Sequence, residues 1–315
     1  MRILVTGVGG FIGSQLARRL LAERHEVIGV DDFSSGHRHN VPAGTELIEG
    51  DLARPESIAA LPKDCALILH LAGQSSGEIS FDDPVADLQK NVVSTLNLIR
   101  YGVENACQRL VYASSMSVYG DVRDAPVPES SECRPLSCYG VGKLAAEGYL
   151  RVYARKLPFV ALRMFNVYGP GQDMQNLRQG MVSIFLAQAL ESGRVHVKGS
   201  LERYRDFVYI DDVVEGWCRA ALVPAAANQT LNLGTGMRTT VGQLLERMRD
   251  HVPGMAWFVE GATPGDQAGI YADTAQLGNV LGLARFTALD AGMKRFVQWA
   301  REHAAAGASH RPRGR

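Results

Sequence analysis

The sequence lacks an excess of charge of either sign. Lys and Arg total 33, Asp and Glu total 33, and the formal net charge is zero. No global field therefore draws the chain onto nucleic acid or an anionic membrane, while a local patch still suits a small anionic ligand. Paired cysteines are lacking as well. Cys65, Cys107, Cys133, Cys138 and Cys218 are odd in number and widely spaced, with no CxxC pair. That argues against a disulfide framework or a zinc site and suits a reducing, cytoplasmic compartment. No apolar run reaches the roughly 18 residues of a membrane span. The short run in residues 1–7 leads into a glycine turn and is too short for a signal peptide. Internal repeats are missing too. Residues 304–315, rich in Ala, Gly, His and Arg with no apolar stripe, read as a disordered tail.

What is present is apolar content, 46% of 315 residues, enough for a sizeable core. Short Val/Ile/Leu runs at residues 3–5, 27–30, 47–48, 67–71, 110–113 and 159–163 alternate with amphipathic stretches. Helix patterns follow residue 11 and cover 85–105 and 139–154. Continuous apolar runs separated by helices predict a parallel sheet covered on both faces. Right-handed crossovers make it a doubly wound α/β sheet of the Rossmann type. After residue 167 the pattern loosens around Pro170, Gly171, Gly180, Gly193 and Gly199, with helices expected at 181–191, 211–221, 241–250 and 289–303. The reading is a dinucleotide-binding domain over 1–166, interleaved with about 205–236, and a smaller substrate-binding lobe over 167–303.

Between the first strand and first helix lies Thr6-Gly7-Val8-Gly9-Gly10-Phe11-Ile12-Gly13. Gly7 allows a tight turn, Gly10 lets backbone approach a pyrophosphate, and Gly13 lets the helix pack against the strand. The helix N-terminus then offers free N–H groups to phosphate. A glycine triplet alone is equally a plain turn; its place between strand and helix is what carries the reading. The second strand ends at Asp31, whose carboxylate suits two ribose hydroxyls and repels a 2′-phosphate. This favours NAD over NADP, with Arg38 as the contrary signal. Asp51, with Leu52, either holds the adenine edge or caps the helix after Pro55.

Tyr139 and Lys143 stand four residues apart, on one face of a helix. An ammonium beside a phenol stabilises phenolate and lowers the phenol below its usual pKa of about 10. Such a Tyr removes a proton from a carbinol while hydride leaves the same carbon for NAD. A surface Tyr/Lys pair is the plain alternative. Upstream, Ser114, Ser115 and Ser117 follow a strand end, where hydroxyls point into a ligand crevice. Ser115 is the candidate to hold the reacting hydroxyl; an ordinary serine loop is the other reading.

These segments, in order, resemble the NAD-dependent epimerases/dehydratases, extended short-chain dehydrogenases whose best-known type is UDP-galactose 4-epimerase. The resemblance spans residues 2 to about 273. It takes in the glycine loop, Asp31 with Phe33-Ser34-Ser35-Gly36, His70-Leu71-Ala72-Gly73, and Asn91 through Asn97. It continues through the Ser115 segment, Tyr139/Lys143, Arg163 through Gly171, and Arg205 through Asp212. It implies Tyr139 as base, Lys143 as its electrostatic partner and Ser115 as hydroxyl holder. The cofactor contacts include Gly7, Gly10, Phe11, Ile12, Gly13, Asp31, Asp51, Leu52, Leu71 and Ala72, together with Tyr139 and Lys143. Asn166, Arg205 and Asp266 fall to a nucleotide-linked sugar. Arg205 has its own rationale as a phosphate partner, with an ion pair to Asp206 or Asp211 as the alternative. Asn91 braces the loops. Met181, Val182 and Phe185 line the base surface or belong to helix core.

Dehydratases of the family carry an Asp-Glu pair directly after the hydroxyl residue, where this chain has Met116 and Ser117; decarboxylases keep a Glu in the same segment. What remains suits epimerisation at C4 of a UDP-hexose, UDP-N-acetylhexosamine or UDP-hexuronic acid. The alternatives are a dehydratase or reductase on the same scaffold and a non-catalytic dinucleotide-binding protein. The phosphate-holding Arg often found before Gly265-Asp266 is replaced by Thr263-Pro264, leaving Arg203, Arg178 and Lys198 as substitutes. Ile270, smaller than Tyr, is read as room for an N-acetyl group. The two long helices, 85–105 and 139–154, are expected to pair with their copies in a homodimer.

Overall fold

The computed structural model describes residues 1–178, 180–261 and 268–309, with side chains described to His303. In chain order the first half runs β1 (Arg2–Thr6), α1 (Phe11–Ala22), β2 (Glu26–Asp31), β3 (Glu46–Glu49), α2 (Pro55–Ala59), β4 (Leu67–His70), α3 (Pro84–Leu88), α4 (Ser94–Glu104), β5 (Arg109–Ser115), α5 (Cys138–Tyr153) and β6 (Phe159–Met164). There follow β7 (Asn166–Tyr168), α6 (Met181–Ser192), β8 (Arg194–Val197), β9 (Tyr204–Arg205), β10 (Phe207–Tyr209), α7 (Ile210–Leu222), β11 (Gln229–Leu233), β12 (Thr239–Thr240), α8 (Val241–His251), β13 (Ala256–Val259), α9 (Ala275–Leu281) and α10 (Leu289–Ser309).

Seven parallel strands form the main sheet in the order β11-β6-β5-β4-β1-β2-β3. Its central strands are apolar on both faces, as the runs predicted: Ile3, Leu4 and Val5 of β1 and Ile68 and Leu69 of β4 are all buried. The order reverses between β1 and β4. A crevice for ligands opens beyond the carboxyl ends of the strands at such a point. Three two-stranded pairs, β10-β7, β12-β9 and β13-β8, stand beside the sheet. One apolar core joins β1, β5, β6 and β11 to α1, α6, α7, α8 and α10.

Local chemistry sets the helix starts that matter for the site. Asp83 accepts from the N–H groups of Val85 and Ala86 ahead of Pro84, which starts α3. Ser137 accepts from Gly140 N at 3.1 Å and starts α5 one residue before Tyr139. The long helix expected over 85–105 is continuous but contains a wide π-type turn at Gln89–Val93. Two expectations change. The tail read as disordered from residue 304 begins inside α10, which runs to Ser309 because the 289–303 pattern continues into alanine-rich chain; residues 310–315 lie outside the described residues. Arg54, not Asp51, holds the N-cap position of α2. Among the described residues no helix is long and apolar enough to cross a membrane.

Candidate functional site

Two adjoining cavities, of about 450 and 310 Å3, lie beyond the carboxyl ends of the strands and share Ser75. Both volumes fall in the range of small-molecule sites. The larger is walled by the β1–α1 turn. Gly7 has φ +72°, a left-handed conformation that suits glycine, and a Cβ on Gly13 would collide with the Gly7 carbonyl oxygen. Gly10, Phe11, Ile12 and Gly13 line this cavity, with Asp31, Asp51, Leu52, Leu71, Ala72, Tyr139 and Lys143. The residues expected to hold a dinucleotide thus stand around one cleft.

Asp31 is fixed in the wall. Its Oδ2 accepts from Gly9 N and its Oδ1 from Phe33 N, both at 2.8 Å. Burial pushes its carboxyl up, and those two N–H groups pull it back. Each oxygen retains a lone pair for a hydroxyl. Arg38, the contrary signal, is bound to Glu49 and lies over the Phe33 ring at 4.4 Å, outside the cleft lining. Asp51 lines the cleft and accepts from Ala53 N at 3.0 Å. A glycine cradle at a helix N-terminus, a fixed carboxylate at the β2 end and an apolar wall at Leu52, Leu71 and Ala72 fit a dinucleotide.

Tyr139 and Lys143 face this cleft from α5. Lys143 Nζ lies 5.4 Å from the Tyr139 ring centre and 5.0 Å from that of Tyr112. The expected lowering of the phenol does not follow from the protein groups. Burial pushes Tyr139 up to about 12; Ser115 hydrogen-bonds it and pulls the other way, and Asp87 adds to the rise. Burial likewise brings Lys143 down to about 8, partly offset by Asp87. Desolvation penalises each charge more than the neighbouring groups repay, so the phenolate needs further positive charge. Ser115 Oγ accepts from Ser117 N at 3.1 Å and hydrogen-bonds Tyr139, lining neither cavity.

The braces under the pair were mostly missed from sequence. Asp87, buried, accepts from Asn91 Nδ2 (3.1 Å) and Gln74 Nε2 (3.0 Å). Asn91 Oδ1 occupies the space that a Cβ on Gly73 would need. His70 is held between Thr6 Oγ1 (2.8 Å) and Thr95 Oγ1 (2.9 Å), and burial drives it down to about 3, so it stays neutral. The signal for Asp87 in the sequence is a Pro84 helix start followed by two polar residues, Asp87 and Asn91, one helical turn apart.

The smaller cavity is lined by Met116, Ser117, Asn166, Met181, Phe185 and Arg205, and by Arg178, Lys198 and Arg203. The three proposed stand-ins for the family's arginine therefore line the same cavity as Arg205. Arg205 is buried, and its Nη1 donates to the Tyr204 carbonyl at 2.8 Å. Its two expected acidic partners are engaged elsewhere. Asp206 receives the N–H groups of Thr235, Gly236 and Ala272, and Asp211 faces Arg295 at 3.6 Å. Three placements are corrected or left aside. Val182 is turned into the core rather than the cavity, because neighbouring helix positions point about 100° apart. Ile270 is buried with Val118, Tyr119, Val127, Phe165 and Ala272 and lines neither cavity, so it says nothing of an N-acetyl group. Asp266, with Thr263, Pro264 and Gly265, lies outside the described residues.

Comparison with known proteins is consistent with this site. The model of the NAD dependent epimerase/dehydratase family matches residues 3–234. The chain is 39% identical over 254 residues to a UDP-glucose 4-epimerase of Mycolicibacterium smegmatis, covering 78% of this chain and 80% of that one. It superposes with a TM-score of 0.92 at 32% identity on a UDP-glucose 4-epimerase with UDP-glucose from Thermotoga maritima, covering 96% of this chain and 100% of that one. A UDP-glucose 4-epimerase complex with NAD from Thermus thermophilus gives 0.86 at 32% identity, covering 96% and 99%.

Proposed function

Because this chain belongs to the NAD-dependent epimerase/dehydratase family, an NAD-dependent family of enzymes, we propose that it inverts C4 of a UDP-linked sugar. The observation that carries this reading is the reacting end of the cleft. Tyr139, hydrogen-bonded to Ser115, faces the larger cavity, while Met116 and Ser117, which follow Ser115 in the chain, line the smaller one. Neither of those two side chains can protonate a leaving hydroxyl or take a carbon-bound proton. The only carboxylate on the described lining of the smaller cavity, Glu78, is bound to Arg178 at 3.4 Å.

In this reading the larger cleft holds NAD and the smaller holds the nucleotide-linked sugar, with C4 presented between them. NAD held by the residues of the larger cleft would supply the hydride acceptor and donor for C4. Tyr139 takes the C4 hydroxyl proton, and Ser115 keeps that hydroxyl oriented. Lys143 supplies part of the positive charge that makes phenolate accessible. Rotation of the 4-keto sugar turns its other face to the hydride, and Tyr139 gives the proton back to the C4 oxygen as the hydride returns to that carbon. Arg178, Lys198, Arg203 and Arg205 meet the diphosphate, with Asn166 beside it. Residues 1–166 serve as the cofactor domain, and most of 167–303 as the sugar lobe.

A homodimer accompanies this reading. Val85 and Leu88 of α3, and Val141, Tyr149 and Val152 of α5, are large apolar side chains left exposed on helices that pack side by side. The test of function is incubation of the purified protein with UDP-hexoses, UDP-N-acetylhexosamines and UDP-hexuronic acids, with products resolved by NMR. The expected result is a pair of C4 epimers approaching equilibrium with no net change in NADH. A stable 4-keto product or stoichiometric NADH consumption refutes it.

A further inference from the structure

Lys90 reaches the end of the larger cleft to which β2 and β3 deliver Asp31, Asp32 and Asp51. Its ammonium bonds the Asp32 carboxylate and lies 3.1 Å from Asp51 Oδ2. The two acids come from different loops, so the lysine ties the loop after β2 to the loop after β3. Each acid is also fixed from elsewhere. Asp32 Oδ1 accepts from Ser34 N at 3.0 Å and Ser34 Oγ at 2.6 Å, and Asp51 Oδ1 accepts from Ala53 N at 3.0 Å.

The wide turn at Gln89–Val93 gives the lysine its aim. Asn91, the next residue, is buried against Gly73 and bonded to Asp87, while Lys90 stands on the cleft wall. An exposed ion pair contributes little by itself. Here the setting differs, because three carboxylates line a cleft that receives a dinucleotide bearing two negative phosphates.

We infer that Lys90 positions NAD by neutralising Asp32 and Asp51 and holding both in place at the β2–β3 end of the cleft. Without the ammonium, the carboxylates face one another and the incoming anion uncompensated. The effect extends to Asp31: the Lys90 charge lowers its carboxyl against burial and against Asp32, which favours the ionised form that ribose hydroxyls bind. Asp32 itself is held below the usual carboxylate range despite burial, by Lys90 and Ser34. The inference rests on the family's use of NAD and is independent of which sugar is turned over.

The test is calorimetric titration of NAD into the full-length protein freed of nucleotide, at low and high ionic strength. Lys90→Met is expected to weaken NAD roughly tenfold, the scale of one charge-assisted interaction. The loss should be larger at low salt, where charges are less screened. Lys90→Arg should bind as the parent does. Adding Asp32→Asn to Lys90→Met should recover most of the loss, since the net charge at this end of the cleft is then that of the parent. Parental affinity in Lys90→Met overturns the inference. So does a loss that Asp32→Asn leaves untouched, because that marks lost packing and not charge. A protein that binds NAD in this pattern yet turns over no UDP-sugar contradicts the proposed reaction alone.

Discussion

Helix α5 carries two sets of buried ionisable groups one turn apart, and they have opposite characters. At its start Tyr139 and Lys143 are buried with little to repay their charges, so burial raises the phenol and lowers the ammonium. One turn on, Glu147 is fully buried but answered. Its oxygens accept from Arg163 Nε at 2.9 Å, Arg163 Nη2 at 2.8 Å and Ser114 Oγ at 2.6 Å, and Arg151 adds a fourth bond at 2.8 Å. A two-point guanidinium–carboxylate pair repays much of the desolvation that a lone charge cannot. The same depth of burial thus yields a fixed structural joint at Glu147 and a pair at Tyr139/Lys143 whose protonation a ligand's charge can tip.

The contrast predicts that the two sites fail differently. Tyr139→Phe removes the base and should cut turnover by roughly 10²–10⁴ while thermal unfolding stays near the parent's; near-normal turnover breaks the assignment. Glu147→Gln strands the Arg163 charge and should cost about 3–5 kcal/mol in denaturant unfolding. A loss under about 1 kcal/mol, the scale of a surface pair, would mean the joint is not what it looks like.

The pH dependence of stability sharpens the comparison further. Lys143 is held at about 8 in the folded protein against an ordinary 10.5. Below pH 8 folded and unfolded chains both carry the charge, and the folded one bears the full desolvation penalty. Between 8 and 10.5 the folded chain has released the proton and the unfolded chain has not. The contribution of this group to stability therefore rises with pH across that window, by up to about 1.4 kcal/mol per unit. Denaturant unfolding of the parent and Lys143→Met between pH 8 and 10 should show the parent gaining relative to the variant; parallel curves contradict it. The smallest effects separate neighbours on α6. Val182→Ala should destabilise by about 1–3 kcal/mol with KM for the sugar nucleotide unchanged, while Met181→Ala should raise KM at little cost in stability.

The fold was readable where one physical demand ruled a segment. Strands buried on both faces must be apolar throughout, so β1, β2, β4, β5 and β6 announced themselves. A turn that meets both phosphate and a strand needs glycine, so Gly7, Gly10 and Gly13 did too. The seventh strand, β11, was not separately named, because Gln229–Leu233 has an ordinary composition and gains its place from pairing with β6. The pairs around β8 and β9 are likewise too short to signal. In the site, side chains that line the two cavities with a chemistry of their own were legible: Asp31, Tyr139 and Lys143 in the larger and Arg205 in the smaller. Residues that act through others were not. Asp87, Gln74 and Lys90 gather only because α3 and the turn at Gln89–Val93 cross the strand ends. Val182 and Ile270 were misplaced because a helix phase and a loop's depth come from tertiary packing. Spacing on a helix reveals a neighbour's charge and not the depth of burial, which raises the phenol of Tyr139.

The central claim, that a hydride leaves C4 and returns to it under the control of Tyr139, is tested most directly by running the reaction in deuterium oxide. The account predicts that C4 epimers form with no deuterium on any sugar carbon, since the transferred hydrogen never meets solvent. Deuterium at C4 or C5 of the product would contradict it, because that hydrogen would have left as an exchangeable proton.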